Sequence, residues 1–130
     1  MERLILDTIV IAAERGHLPI ETICDDADDV AIAAVTAAEL MLGVALSGDR
    51  SREPRSAFVE DVLATVTIEE YDLDVARSHA ALMVATRRSG RPRGAHDLII
   101  AATAAARGRT VVTSDGRGFS GLPGVEVRLL

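Results

Sequence analysis

No lysine and no tryptophan occur in the 130 residues, so all 14 basic residues are arginine. The missing lysine removes the Gly-Lys-[Ser/Thr] end of a phosphate-binding loop, and with it the nucleotide hydrolases built on that loop. It also excludes phosphoacceptor signalling domains and acid-phosphatase-like folds, which place a lysine beside their acidic pocket. The second of these expects D-x-D as well, where this chain has Asp7-Thr8-Ile9. Aromatic residues make up 2 % of a chain that is 48 % hydrophobic. The core must therefore be built from Ala, Val, Ile and Leu, which suits helices packed closely on a β-branched sheet. Cys24 is the single cysteine. It excludes an internal disulfide, no Cys/His spacing matches a zinc site, and a reducing, cytoplasmic setting fits.

Long apolar runs are also missing. The apolar N-terminal stretch is interrupted by Asp7 and followed by Glu14 and Arg15 where a leader would be cleaved. Leu98 to Ala106 is far shorter than the ~20 residues that span a bilayer. The expectation is a soluble protein with no membrane contact. A net charge of −6 argues against generic affinity for nucleic acid. Metal-neutralised carboxylates would offset much of it, so bulk charge does not decide the partner.

The length suits one domain, residues 1–130, and neither a repeat nor a linker composition divides it. Short β-prone segments are predicted at Arg3 to Leu6, Val30 to Ala34, Thr67 to Tyr71, Arg109 to Thr113 and Val125 to Leu129. Helical periodicity is predicted for Ile9 to Arg15, Ala37 to Leu46, Phe58 to Val66 and Asp72 to Arg88. Leu98 to Ala106, apolar on every face, reads as a core helix. "GDRSREPR" (48–55) reads as a polar loop and "SGRPRG" (89–94) as a break. Strands alternating with helices imply an α/β fold with a mainly parallel sheet, whose strand-to-helix loops share one ligand-binding edge.

Four carboxylates fall at that edge, each with an ordinary structural explanation. Asp7 suits a helix cap, Thr36-x-x-Glu39 matches a capping box, Asp97 precedes a helix, and Asp115-Gly116 is a turn dipeptide. Asp72 and Asp74 also precede a helix at a strand end, and no chemistry is assigned to them. What favours a site is electrostatic. Asp7 and Asp115 end strands that open into one crevice, and two charges ~4 Å apart repel by about 4 kcal/mol at an effective dielectric of 20. With no lysine in the chain and no arginine beside Asp7, a hard divalent cation would relieve that repulsion.

In these residues the chain resembles PIN-domain ribonucleases, and among them the VapC-type toxins of bacterial toxin–antitoxin modules. The resemblance runs through "LILDTIVIAAERG", "VTAAELMLGV", "AHDLIIAATAAARG" and "VVTSDGRGF". It implies a PIN-like three-layer α/β fold, with a mostly parallel five-stranded sheet in the order 3-2-1-4-5. It implies an acidic quartet at Asp7, Glu39, Asp97 and Asp115, with Thr113 and Phe119 matching the hydroxyl and aromatic of the last motif. The implied activity is Mg²⁺- or Mn²⁺-dependent cleavage of structured cellular RNA. The implied partners are a small antitoxin and a second copy of the chain. Two positions depart from the pattern: Ile9 stands where relatives often have Ser, and Arg117-Gly118 where some carry another acid.

The corresponding roles give Asp7, Asp97 and Asp115 to metal, Glu39 to the attacking water, and Thr113 to a ligand or phosphate. Arg87, Arg88, Arg91 and Arg93 are candidates for RNA phosphates. The same arginines also read as a solvated helix end that complements the helix dipole. Scant aromatic surface leaves RNA shape and backbone as the basis of target choice. His17, His79 and His96 are given no catalytic part. The alternatives are a catalytically silent metal- or RNA-binding module of the same fold, and a PIN nuclease of RNA processing.

Overall fold

The computed structural model describes residues 1–9 and 24–130; most of the helix expected from Ile9 to Arg15, and His17, lie outside them. The elements are β1 (Arg3–Leu6), β2 (Asp29–Ala33), α1 (Ala34–Leu46), α2 (Asp49–Thr65), β3 (Thr67–Glu69), α3 (Leu73–Ser89), α4 (Ala95–Arg107), β4 (Thr110–Thr113), a 3₁₀ turn (Gly116–Gly118) and β5 (Val127–Leu129). The five strands form one sheet in the order β3-β2-β1-β4-β5. Every adjacent pair is parallel, with Ile5 of β1 level with Ala31 and Val111.

Side-chain alternation along the strands makes two cores. Leu4, Leu6, Ile32 and Val112 pack with Leu40, Val59 and Val62 of α1 and α2. Ile5, Ala33 and Val111 pack with Val75, Leu82, Leu98 and Ala101 of α3 and α4 on the other face. The aromatic-poor composition works because α4 meets the sheet through alanines, with Ala101 and Ala102 fully buried. Thr103 within that helix returns its hydroxyl to the Ile99 carbonyl at 2.7 Å, so no polar group is stranded.

Two expectations are corrected. Residues 48–55 are not a loop: Gly48 caps α2, and the Ser51 and Arg52 amides donate to its carbonyl at 3.0 Å. The first turns of this outer helix face water, so their polarity gave no helical pattern, and Pro54 lies inside the helix. Asp72 does cap α3, accepting from the Val75 amide at 3.1 Å, but away from the other acids. Its second oxygen pairs with Arg107 at the far end of α4. The helices α3 and α4 form an antiparallel pair joined by residues 90–94, so Asp97 and Asp72 lie at opposite ends of it. Gly90, at φ 68°, makes the left-handed turn that ends α3.

At the edge where the strands start, Arg109 is buried with 3 % of its side chain exposed. Its Nη1 donates to the carbonyls of Asp29 at 2.9 Å and Leu4 at 3.3 Å. It pairs with the carboxylates of Asp29 at 3.1 Å and Glu69 at 3.4 Å. One guanidinium thereby ties β1, β2, β3 and β4 together. Among the described residues no helix is long and apolar enough to cross a membrane.

Candidate functional site

At the opposite edge β1 ends in Asp7, which is 3 % exposed. Its amide continues the ladder to the Val112 carbonyl at 3.1 Å. Thr113, fully buried at the end of β4, donates its hydroxyl to Asp7 Oδ2 at 2.9 Å and accepts from the Asp115 amide at 3.0 Å. One hydroxyl thus fixes both strand ends relative to each other. Thr8 adds a second donor to Asp7 Oδ2 at 3.2 Å. It supplies a hydroxyl next to Asp7 in a chain where Ile9 is a buried core residue. Asp7 Oδ1 is buried and has no hydrogen-bond partner among the described residues.

The capping explanations fail for two of the acids. The cap of α1 is Ala33, so Thr36 and Glu39 both lie inside the helix and form no capping box. The Thr36 hydroxyl is buried and unpartnered among the described residues, and Glu39 Oε1 meets His96 Nδ1 at 2.9 Å. The cap of α4 is Gly94, with Asp97 in the first turn behind it. Asp115, by contrast, does cap a turn. Its Oδ1 accepts from the Arg117 amide and Nε, both at 3.1 Å, and its Oδ2 from Nη2 at 3.4 Å.

Asp97 is where the acids converge. Burial pushes its carboxyl above the ordinary range, and the charges of Asp7, Asp115 and Glu39 push it further. Asp115 moves the other way, held below the ordinary range by the Arg117 guanidinium and amide. The mutual repulsion of the acids is thus felt at Asp97, while Arg117 partly offsets the charge of Asp115. Two glycines let the backbone close on this carboxylate. A Cβ on Gly118 would stand 2.5 Å from Asp97 Oδ2, and one on Gly94 3.3 Å.

The PIN domain family matches residues 4–124. The chain belongs to the PIN-domain family. Ribonuclease VapC5 of Mycobacterium tuberculosis is 39 % identical over 122 residues, 92 % of this chain and 87 % of that protein. The tRNA(fMet)-specific endonuclease VapC of Salmonella typhimurium is 31 % identical over 114 residues, 88 % and 80 % of the two chains. Among solved structures, VapBC-5 of M. tuberculosis, a member of the VapBC family of toxin–antitoxin systems, superposes with a TM-score of 0.82. It is 33 % identical and covers 100 % of both chains.

In this PIN domain the structure brings Asp7, Glu39 and Asp115 within electrostatic reach of Asp97, with Thr113 bonded to Asp7. It redirects Arg93, whose Nη1 and Nη2 donate to the carbonyls of Arg117 and Ser120, both at 2.8 Å. That guanidinium anchors the Asp115 loop, with both of its terminal nitrogens engaged within the chain. Arg87, Arg88 and Arg91 remain exposed. Thr113 is too buried to reach substrate, and its part is to hold Asp7. Phe119, 1 % exposed, is a core residue. His96, set aside from the sequence because neighbouring side chains diverge, does diverge from Asp97, and that turns it onto Glu39.

Proposed function

We propose that this PIN-domain chain is the ribonuclease toxin of a toxin–antitoxin pair, a metal-dependent endonuclease acting on structured RNA. The observation that carries the reading is Asp97, held half-buried among three other acids on a rigid core helix. Family membership and the resemblance to ribonuclease VapC5 support the same activity. The residues fit a hard divalent cation, Mg²⁺ or Mn²⁺: the donors are carboxylate oxygens, and buried Asp7 Oδ1 lacks a partner among the described residues. Asp7, Asp97 and Asp115 are the candidate ligands. Among the described residues no group of three acids, histidines or cysteines is placed to hold a metal directly. Water would complete the shell, as Mg²⁺ prefers.

When bound, such a cation polarises the phosphate and offsets the charge that develops on it. The chain's own residues do the rest. Glu39, steadied by His96, orients the attacking water and accepts its proton. The water oxygen forms a new bond to phosphorus, a phosphodiester P–O bond breaks, and the departing oxygen takes up a proton. Thr113 and Thr8 keep Asp7 fixed during the step, and Arg87, Arg88 and Arg91 attract the RNA backbone.

A small antitoxin and a second copy of the chain complete the proposal. The VapBC-5 complex supports the first. The exposed Met41, Leu42 and Leu46 of α1, with Leu73, Met83 and Val84 of α3, offer apolar surface for protein partners. Asp115, engaged by Arg117, favours one other reading, a binding module without turnover.

The test is cleavage of a pool of structured cellular RNAs at fixed salt, with Mg²⁺, with Mn²⁺ and with chelator. Cutting that chelator stops and either metal restores is expected. Metal binding without cutting would select the silent module. Gly118→Ala gives a finer check. The added methyl must displace the Asp97 carboxylate, and a displacement of ~1 Å costs on the order of 100-fold in rate. Cleavage is expected to fall by about that factor with an unchanged circular dichroism spectrum; full activity would mean that Asp97 need not stand where it does.

A further inference from the structure

Two of the four acids meet a basic side chain, and two do not, among the described residues. Asp115 has both oxygens engaged by Arg117, and Glu39 has His96. Asp7 keeps a buried oxygen with no partner, and the Asp97 carboxylate accepts no hydrogen bond, among the described residues. Asp7 Oδ1 and the Asp97 carboxylate are the acid oxygens left open to one divalent cation, among the described residues. At Asp115 a guanidinium already supplies the positive charge that a second cation would bring.

We propose, resting on the nuclease reading, that Arg117 takes the place of a second metal ion. Of the three candidate ligands, Asp7 and Asp97 then share a single divalent cation, while Arg117 holds Asp115 out of the metal's shell and turns to the scissile phosphate when RNA arrives. The geometry suits a group that moves. The Arg117 side chain is 93 % exposed, so its pair with Asp115 is screened by water and weak. Its backbone is anchored, since Arg93 grips the Arg117 carbonyl at 2.8 Å. The guanidinium can therefore leave Asp115 without the loop leaving Asp97. A planar fork that fits a carboxylate fits two phosphate oxygens equally well.

The experiment is calorimetric titration of Mn²⁺ into the wild-type chain and into Arg117→Ala and Arg117→Lys, with folding checked by circular dichroism. RNA binding is measured across a salt series in an Asp97→Asn background, with and without Arg117→Ala. One Mn²⁺ per wild-type chain is expected. Arg117→Ala should admit a second ion and lower the slope of log affinity against log salt by about one. Arg117→Lys should restore one-ion binding, with RNA affinity between the other two. Two ions on the wild type would overturn the inference. So would an Arg117→Ala variant unchanged in both stoichiometry and salt slope, even if RNA cleavage by the wild type left the nuclease reading intact. A wild type that neither binds Mn²⁺ nor cuts RNA would overturn the nuclease reading, and this inference with it.

Discussion

Replacing Asp97 by asparagine is expected to lower RNA cleavage by more than about 100-fold while raising the thermal midpoint of the metal-free protein at pH 7. Residues that merely orient a metal ligand cost 10- to 100-fold when lost, roughly, so a ligand at the centre of the cluster should exceed that. The stability gain derives from the direction of the Asp97 shift. A carboxyl whose folded pKa lies above its unfolded value binds more protons when folded, so stability falls as pH rises between the two values. At pH 7, above the unfolded value, that loss is felt, and asparagine avoids it. Below about pH 4, where the carboxyl is protonated in both states, the two proteins should melt alike. Melting curves of both proteins at several pH values, with chelator present, decide the matter. A variant less stable than wild type at pH 7 would show that Asp97 is a structural acid.

Arg109→Met is expected to cost about 2–3 kcal/mol of stability with cleavage per folded molecule unchanged. Breaking a buried ion pair costs about 3–5 kcal/mol. Here the acids keep other partners, with Arg3 2.8 Å from Asp29 and Arg107 2.9 Å from Glu69, so the cost falls at or just below the lower end of that range. The Leu4 and Asp29 carbonyls lose their donor in the dry interior and account for much of the remainder. For a domain of this size the midpoint should drop by roughly 10 °C. Activity should hold because Arg109 precedes β4 and the acids lie beyond its other end. Urea titration beside a cleavage assay measures both effects. A loss under about 1 kcal/mol would mean that water serves those carbonyls adequately.

The α/β class was legible from alternating strand and helix patterns, because each strand here is short and carries a β-branched residue. The four acids were legible as residue types just after strands or early in helices, yet their geometry was not. Capping and catalysis favour the same acids at the same places, and only the observed cap residues, Ala33 and Gly94, separate the two explanations. The opening turns of α2 were hidden because a solvated helix end and a loop share a composition. Asp72 was misplaced because strand order does not reveal that α3 and α4 run antiparallel. Arg93 read as an RNA contact because nothing local shows a side chain reaching carbonyls 24 and 27 residues away.

The bond from Thr113 to Asp7 joins residues 106 apart in sequence, and the pairing of β1 with β4 must precede it. Closing so long a loop is the kind of step that slows folding, because its entropy is lost before its contacts form. A chain halted anywhere between those strands has the first aspartate but neither its hydroxyl clamp nor the last acid. Partial synthesis and partial unfolding therefore both leave an inert intermediate, and during refolding RNA cleavage should return with the slowest phase, after most helical signal has recovered.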